Sequence, residues 1–127
     1  MAGYHTDIEK KSLDNNYFRE VLFTGPNSQL VVMALKPGED IGMETHDDVD
    51  QFIRVEAGQG KAVLDGKEYP LQDGSAVVIP AGTEHNVVNT SSADPLKLYT
   101  IYTPPEHPDG TVHKTKAEAE EYEKKHH

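Results

Sequence analysis

Glu44 and His46 stand two residues apart, Gln51 follows five residues on, and His85 lies beyond a second glycine-rich stretch. Two imidazoles, a carboxylate and an amide oxygen form a donor set that could close on one divalent ion. Nitrogen and carboxylate donors suit Zn, Fe, Mn, Ni or Cu, whereas an amide oxygen is a weaker, neutral ligand. Considered singly, each histidine has an alternative reading. His46 sits among acidic residues like many a surface side chain, and His85 reads equally as a hydrogen-bonded loop residue.

The elements that must position these groups are strands. Glycines and prolines punctuate residues 25–82, and between them 21–24, 30–36, 51–56, 61–64, 68–71, 76–79, 85–89 and 96–103 are rich in β-branched and aromatic residues. Leu64-Asp65-Gly66-Lys67 carries the Asp-Gly signal of a tight hairpin. Many short strands with frequent turns predict an all-β sandwich or barrel. Alternation places Glu44 and His46 on one face of a strand. It also puts Gln51, Ile53 and Val55 on the inward face of the next, with Phe52, Arg54 and Glu56 outside. His85 shares a face with Val87 and Asn89, just after the Pro80-Ala81-Gly82 turn. Gly38, Gly58, Gly74 and Gly82 are expected at turns.

Outside residues 16–104, expected to form the barrel, the first 15 residues are polar and uninformative. Residues 105–127 combine a proline-rich loop with a tail. Thr115-Lys116-Ala117-Glu118 has capping-box spacing and predicts a short helix, solvated because apolar residues are few. His126 and His127 are given no role.

The chain of 127 residues can build one core, and without cysteine it has neither disulfides nor thiolate metal sites. No apolar run approaches the about 20 residues of a membrane span, and no signal peptide opens the sequence. A cytoplasmic protein is the default expectation. The net charge of −10 disfavours nucleic acid and anionic membranes as partners, and counts more mildly against strongly anionic small substrates.

The two glycine-rich fragments resemble the paired motifs of the cupin superfamily, G-x5-H-x-H-x(3,4)-E-x6-G and G-x5-P-x-G-x2-H-x3-N. Gly38, Glu44, His46, Gln51 and Gly58 keep the spacing of the first; Gly74, Pro80, Gly82, His85 and Asn89 keep that of the second. The resemblance implies a double-stranded β-helix, the cupin jelly roll, with a metal inside the barrel held by Glu44, His46, Gln51 and His85. Both departures fall on ligand positions. Glu44 replaces the usual first histidine and Gln51 the usual glutamate, so the carboxylate has moved rather than vanished. With Glu44, His46 and His85 as ligands a divalent ion keeps a net charge of about +1. The swaps also fit a cupin that has lost its metal.

Two histidines, one Glu and one Gln also make up the ligand set of the type I phosphomannose isomerases, themselves cupins, with Glu and Gln exchanged. A sugar-phosphate enzyme needs Arg or Lys for the phosphate, and the motif region has few: Arg54 faces outward, while Lys36, Lys61 and Lys67 sit at turns or strand ends. Asp47, Asp48 and Asp50 read as a solvated turn; lining the entrance, they would favour neutral or cationic ligands. The expected function is a small metal-dependent enzyme, of isomerase or dioxygenase type, acting on a carbonyl, enol or sugar-like substrate. The alternative is a non-catalytic cupin that binds a sugar or similar metabolite. Tyr99, Thr100, Tyr102 and His107 are available near the last strand, though packing or surface roles suit them better. The resemblance also implies a homodimer.

Overall fold

A computed structural model describes residues 2–126. All eight expected strands form, each within two residues of its expected bounds. They are β1 (Arg19–Thr24), β2 (Gln29–Leu35), β3 (Asp50–Ala57), β4 (Gly60–Leu64), β5 (Lys67–Leu71), β6 (Ala76–Ile79), β7 (His85–Asn89) and β8 (Leu96–Thr103). A two-residue strand β9 (Val112–His113) and two helices, α1 (Ile8–Asp14) and α2 (Lys116–Lys125), complete the chain.

The strands form two antiparallel sheets, ordered β6-β3-β8-β2-β1-β9 and β5-β4-β7. Their inner faces enclose Val31, Met33, Leu35, Ile53, Val55, Ala62, Val87, Leu96 and Leu98, all 1% exposed or less. At about 25 cal/mol per Å² of apolar surface removed from water, this interior is the main force holding the sheets together. The result is the jelly-roll barrel expected. The β4–β5 hairpin turns at Asp65-Gly66, both with positive φ (48° and 83°), as a type I′ connection requires. Gly58 is fixed by space as well as by backbone, because a Cβ there would meet the Pro95 carbonyl oxygen at 2.4 Å.

Three features depart from the sequence reading. The polar N-terminal segment contains α1, whose N-cap Asp7 accepts from the Lys10 amide at 3.1 Å. Its end is held by the buried Lys97, which donates to the Asn15 carbonyl and, at 3.0 Å, to Asn16 Oδ1. A cation there complements the helix dipole, and no apolar stripe is involved. Helix α2 is exposed along most of its length, as expected, but is also docked. Thr115 Oγ1 caps it by accepting from the Glu118 amide, Ala119 is buried, and Lys116 Nζ pairs with Asp40 Oδ1 at 2.5 Å. Finally, residues 40–44 form only two isolated bridges to β7, Asp40 with Val88 and Glu44 with His85. Gly42, at φ 107°, breaks the strand between them, and its amide donates instead to Asn86 Oδ1 at 2.9 Å.

Gln29 at the start of β2 anchors the proline-rich loop. Its Nε2 donates to Thr24 Oγ1 (2.9 Å) and the His107 carbonyl (2.7 Å), and its Oε1 accepts from the Glu106 (3.3 Å) and His107 (3.0 Å) amides. Gln29→Ala strands those loop groups in a buried setting. It is expected to cost about 2 to 3 kcal/mol, read as a lower urea midpoint at unchanged m-value. A loss below about 0.5 kcal/mol would mean that the loop holds its place by other contacts.

Candidate metal centre

Glu44 and His85 face one another across the bridge between residues 40–44 and β7. Their backbones exchange two hydrogen bonds, Glu44 N to His85 O and His85 N to Glu44 O, each 2.8 Å. Directly opposed residues of an antiparallel pair project on one face, so this bridge brings the carboxylate to the imidazole. His46 follows two residues later, and its carbonyl accepts from the Gly82 amide at 2.7 Å. That bond ties the first fragment to the turn before His85. Asp50 Oδ1 accepts from the Ala81 amide at 2.9 Å and fastens the same turn to β3. One donor atom from each of Glu44, His46 and His85 lies within 4.8 Å of the others.

The two histidines are held differently. His85 Nδ1 lies 2.8 Å from the Thr83 carbonyl, which only accepts, so Nδ1 carries the proton and Nε2 is left with a lone pair. That Nε2 is buried and has no hydrogen-bond partner. His46 Nε2 lies 3.4 Å from Glu44 Oε2, while its Nδ1 faces Glu106 Oε1 at 3.5 Å. A carboxylate on the outer nitrogen of a metal-binding histidine fixes the ring and raises its basicity. The donors of an ion with bonds near 2.1 Å stand roughly 3 to 4 Å apart, a spacing that the Glu44–His46 pair has. An orphaned buried nitrogen, a carboxylate and an oriented second imidazole suit a transition metal of the expected series.

Gln51 is buried inside the barrel, opposite Tyr102 on β8. Its Nε2 donates to Thr100 Oγ1 at 3.0 Å, so the amide oxygen is its only atom able to act as a donor to an ion. The convergent trio is Glu44, His46 and His85, with Gln51 on the adjoining inner face of β3. Thr100 and Tyr102 also point inward, by alternation along β8, and Tyr102 packs in the core. Thr100 accepts from Gln51, and the Tyr102 ring meets His46 edge-on at 6.3 Å and His107 edge-on at 5.1 Å. Burial pushes the Tyr102 phenol well above its ordinary range. Tyr99 lies on the opposite face of β8, against Phe52.

Glu106 and Arg19 were not legible as site residues. Glu106 sits in the proline-rich loop, and only the closing of that loop over the barrel mouth by Gln29 puts it beside His46. Burial raises its carboxyl above the usual range; His46 opposes this, and Glu44, Asp48 and Glu123 add to it. A cleft of about 440 Å³ opens from Glu44 and His46, bounded by Arg19, Ile41, Glu106 and the α2 residues Lys116 and Ala119. Asp47, Asp48 and Asp50 are not among the described residues that line it. The acidic triplet does not line the cleft wall, although Asp48 lies close enough to act on Glu106.

Comparison with known proteins agrees with the geometry. The Cupin_2 family model (Cupin domain) matches residues 31–102. The uncharacterized protein YrkC of Bacillus subtilis is 50% identical over 119 residues, which are 89% of this chain and 63% of YrkC. The chain thus spans under two thirds of that relative's length. A crystal structure of BH2720 from Bacillus halodurans superposes with a TM-score of 0.92 at 44% identity, covering 94% of this chain and 95% of the other. A stretch of 78 residues, 61% of this chain, is 32% identical to quercetin 2,3-dioxygenase of Bacillus subtilis, of which it covers 23%. Among the described residues no helix is long and apolar enough to cross a membrane. On the matched motif region, the two-sheet barrel and these likenesses, the chain belongs to the cupin family.

Proposed function

We propose that the protein is a metal-dependent cupin enzyme in which Glu44, His46 and His85 hold one divalent transition metal ion. Gln51 offers a weak fourth donor or orients a water. The observation that carries this reading is His85 Nε2: buried, without a hydrogen-bond partner, and the nitrogen that bears the lone pair of the neutral ring because Nδ1 donates to the Thr83 carbonyl. A buried acceptor with nothing to accept costs about 1 to 3 kcal/mol, and coordination removes that cost. When bound, such an ion supplies Lewis-acid polarisation of a carbonyl or enol oxygen, or redox chemistry if it is iron or copper. Glu44 leaves the centre with a net charge of about +1, suited to an oxygen function carrying partial negative charge. Glu106 holds the His46 ring, and the Tyr102 hydroxyl stays protonated at neutral pH and serves as a donor rather than a base. The shortage of free cations for a phosphate favours small carbonyl or enol substrates over sugar phosphates.

A second reading, a cupin that binds a small metabolite without turnover, has one observation in its favour. Burial, with Arg19 and the neighbouring histidines, pushes His107 down to about 3, and burial lifts Tyr102 far above neutrality. Neither is poised to exchange a proton near pH 7. The test common to both is elemental analysis of untagged protein, purified without chelator or a nickel column, beside a Glu44→Ala/His46→Ala variant. Near-stoichiometric metal in the wild type and none in the variant is expected. Absence of metal from a wild type reconstituted with each of the candidate ions would overturn the metal reading.

A further inference from the structure

The cleft that begins at Glu44 and His46 is bounded on its far side by a buried cation. Arg19, the first residue of β1, is 6% exposed and lines the cleft. Among the described residues it forms no ion pair. Its Nη1 donates to His113 Nδ1 at 3.2 Å, its Cζ lies 5.2 Å from the Phe18 ring centroid, and its Nε is buried without a partner. A guanidinium cannot shed its proton, so a buried charge stands here without a direct ion-pair partner among the described residues. Such an arrangement is costly unless an anion arrives to complete it.

The other cation lining the cleft, Lys116, is already paired with Asp40. That leaves Arg19 as the cation without an ion pair in a cleft that also carries Glu44, Glu106, Glu120 and Glu123. A dianion such as a phosphate monoester would meet strong repulsion from those glutamates. A monoanion meets less of that repulsion and needs only one charged donor; with Nη1 on His113 and Nε buried, that donor is Nη2, in a charge-assisted hydrogen bond to a carboxylate oxygen. We propose that Arg19 anchors the carboxylate of a small monocarboxylic acid, whose remaining oxygen functions extend along the cleft toward Glu44 and His46. The second half of this statement rests on the metal reading above; the first half does not. It agrees with the expectation that the protein's acidity counts against strongly anionic substrates, since a monocarboxylate carries a single charge.

The experiment is a chemical-shift titration of isotope-labelled full-length protein with pyruvate and with pyruvamide, which share a shape and differ in charge. It is run on metal-free and on Zn²⁺-loaded protein. Pyruvate is expected to bind at least about tenfold more tightly than pyruvamide in both states, the factor a charge-assisted hydrogen bond provides. Arg19→Gln is expected to abolish that preference, and Arg19→Lys to keep part of it. Zinc uptake, followed separately by equilibrium dialysis, is expected to be unchanged in both variants. Equal binding of acid and amide by the wild type would overturn the proposal, a result that does not depend on how a variant folds. So would a preference that survives in folded Arg19→Gln, or inorganic phosphate binding more tightly than pyruvate. If the wild type takes up neither zinc nor any other candidate ion yet prefers the acid when metal-free, the metal reading fails and the anchor stands.

Discussion

His85→Leu is expected to abolish metal uptake and, at the same time, to leave the metal-free protein as stable as the wild type or more so. The two halves have one cause. In the metal-free wild type His85 Nε2 is a buried acceptor with no donor, at a cost of about 1 to 3 kcal/mol. Leucine has no such atom and a comparable volume, so the cost disappears. Against this, the Thr83 carbonyl loses the Nδ1 proton it accepts at 2.8 Å, worth about 1 kcal/mol. The balance for the metal-free state therefore lies near zero or on the stabilising side. With metal the order reverses. An ion that binds only the folded wild type at a free concentration of 1,000 times its Kd adds about 4 kcal/mol, whereas the variant gains nothing. Denaturant titrations of both proteins, with metal and with chelator, give four stabilities whose crossing is the expected signature. A variant that keeps one ion per chain, or a wild type that gains no stability from any candidate ion, would refute the assignment of His85.

The barrel was legible because strand signals are local. Alternation on β3 put Gln51, Ile53 and Val55 inside, and the structure buries all three. The Asp-Gly hairpin required only the positive-φ chemistry of two adjacent residues. The spacing of the paired motifs pointed to Glu44, His46 and His85 together, but not to the backbone bridge between Glu44 and His85, which pairs two segments far apart in sequence. What escaped notice depends on long-range contacts of polar residues. Helix α1 has no apolar stripe, and is held by Lys97, far along the chain. Helix α2 docks through the small residue Ala119 and the Lys116–Asp40 pair; Lys116 and Asn86 together hold the Asp40 carboxyl below its usual range. Arg19 opens a strand whose neighbours look unremarkable, and its burial follows from β9 and α2 closing beside it. Glu106 reaches His46 only because Gln29 fastens a loop 78 positions away. No periodicity encodes such pairings, yet they build the cleft.

Acidification from pH 7 to 5 is expected to weaken the chelator-treated protein by about 2 kcal/mol through His107 alone, and His107→Phe is expected to remove that part of the pH dependence. The His107 ring is enclosed, with Nε2 unpartnered and the face or edge of Tyr102 at a centroid distance of 5.1 Å. Burial is the largest force against its protonation, and the charges of Arg19, His113 and His46 add to it, so its pKa falls to about 3. In the unfolded chain the same group titrates near about 6.5. Above that value neither state binds the proton and stability is level. Between about 6.5 and 3 the unfolded chain takes up a proton that the folded protein refuses, so stability falls by up to about 1.4 kcal/mol per pH unit as the pH drops. His113, lowered mainly by burial and then by Arg19, acts in the same direction. Asp40, whose depressed carboxyl contributes stability that is lost only in the more acidic carboxylate range, leaves the window from pH 7 to 5 largely to the histidines. Glu106, with its raised carboxyl, works in the opposite sense toward the acid end of that window. Chelation is essential, because a bound ion would compete with protons at His46 and His85 and add its own slope. Phenylalanine fills the space beside Tyr102 and cannot titrate. Urea unfolding at pH 7, 6 and 5 should therefore give His107→Phe a distinctly shallower slope than the wild type, and identical slopes would place the sensitivity elsewhere.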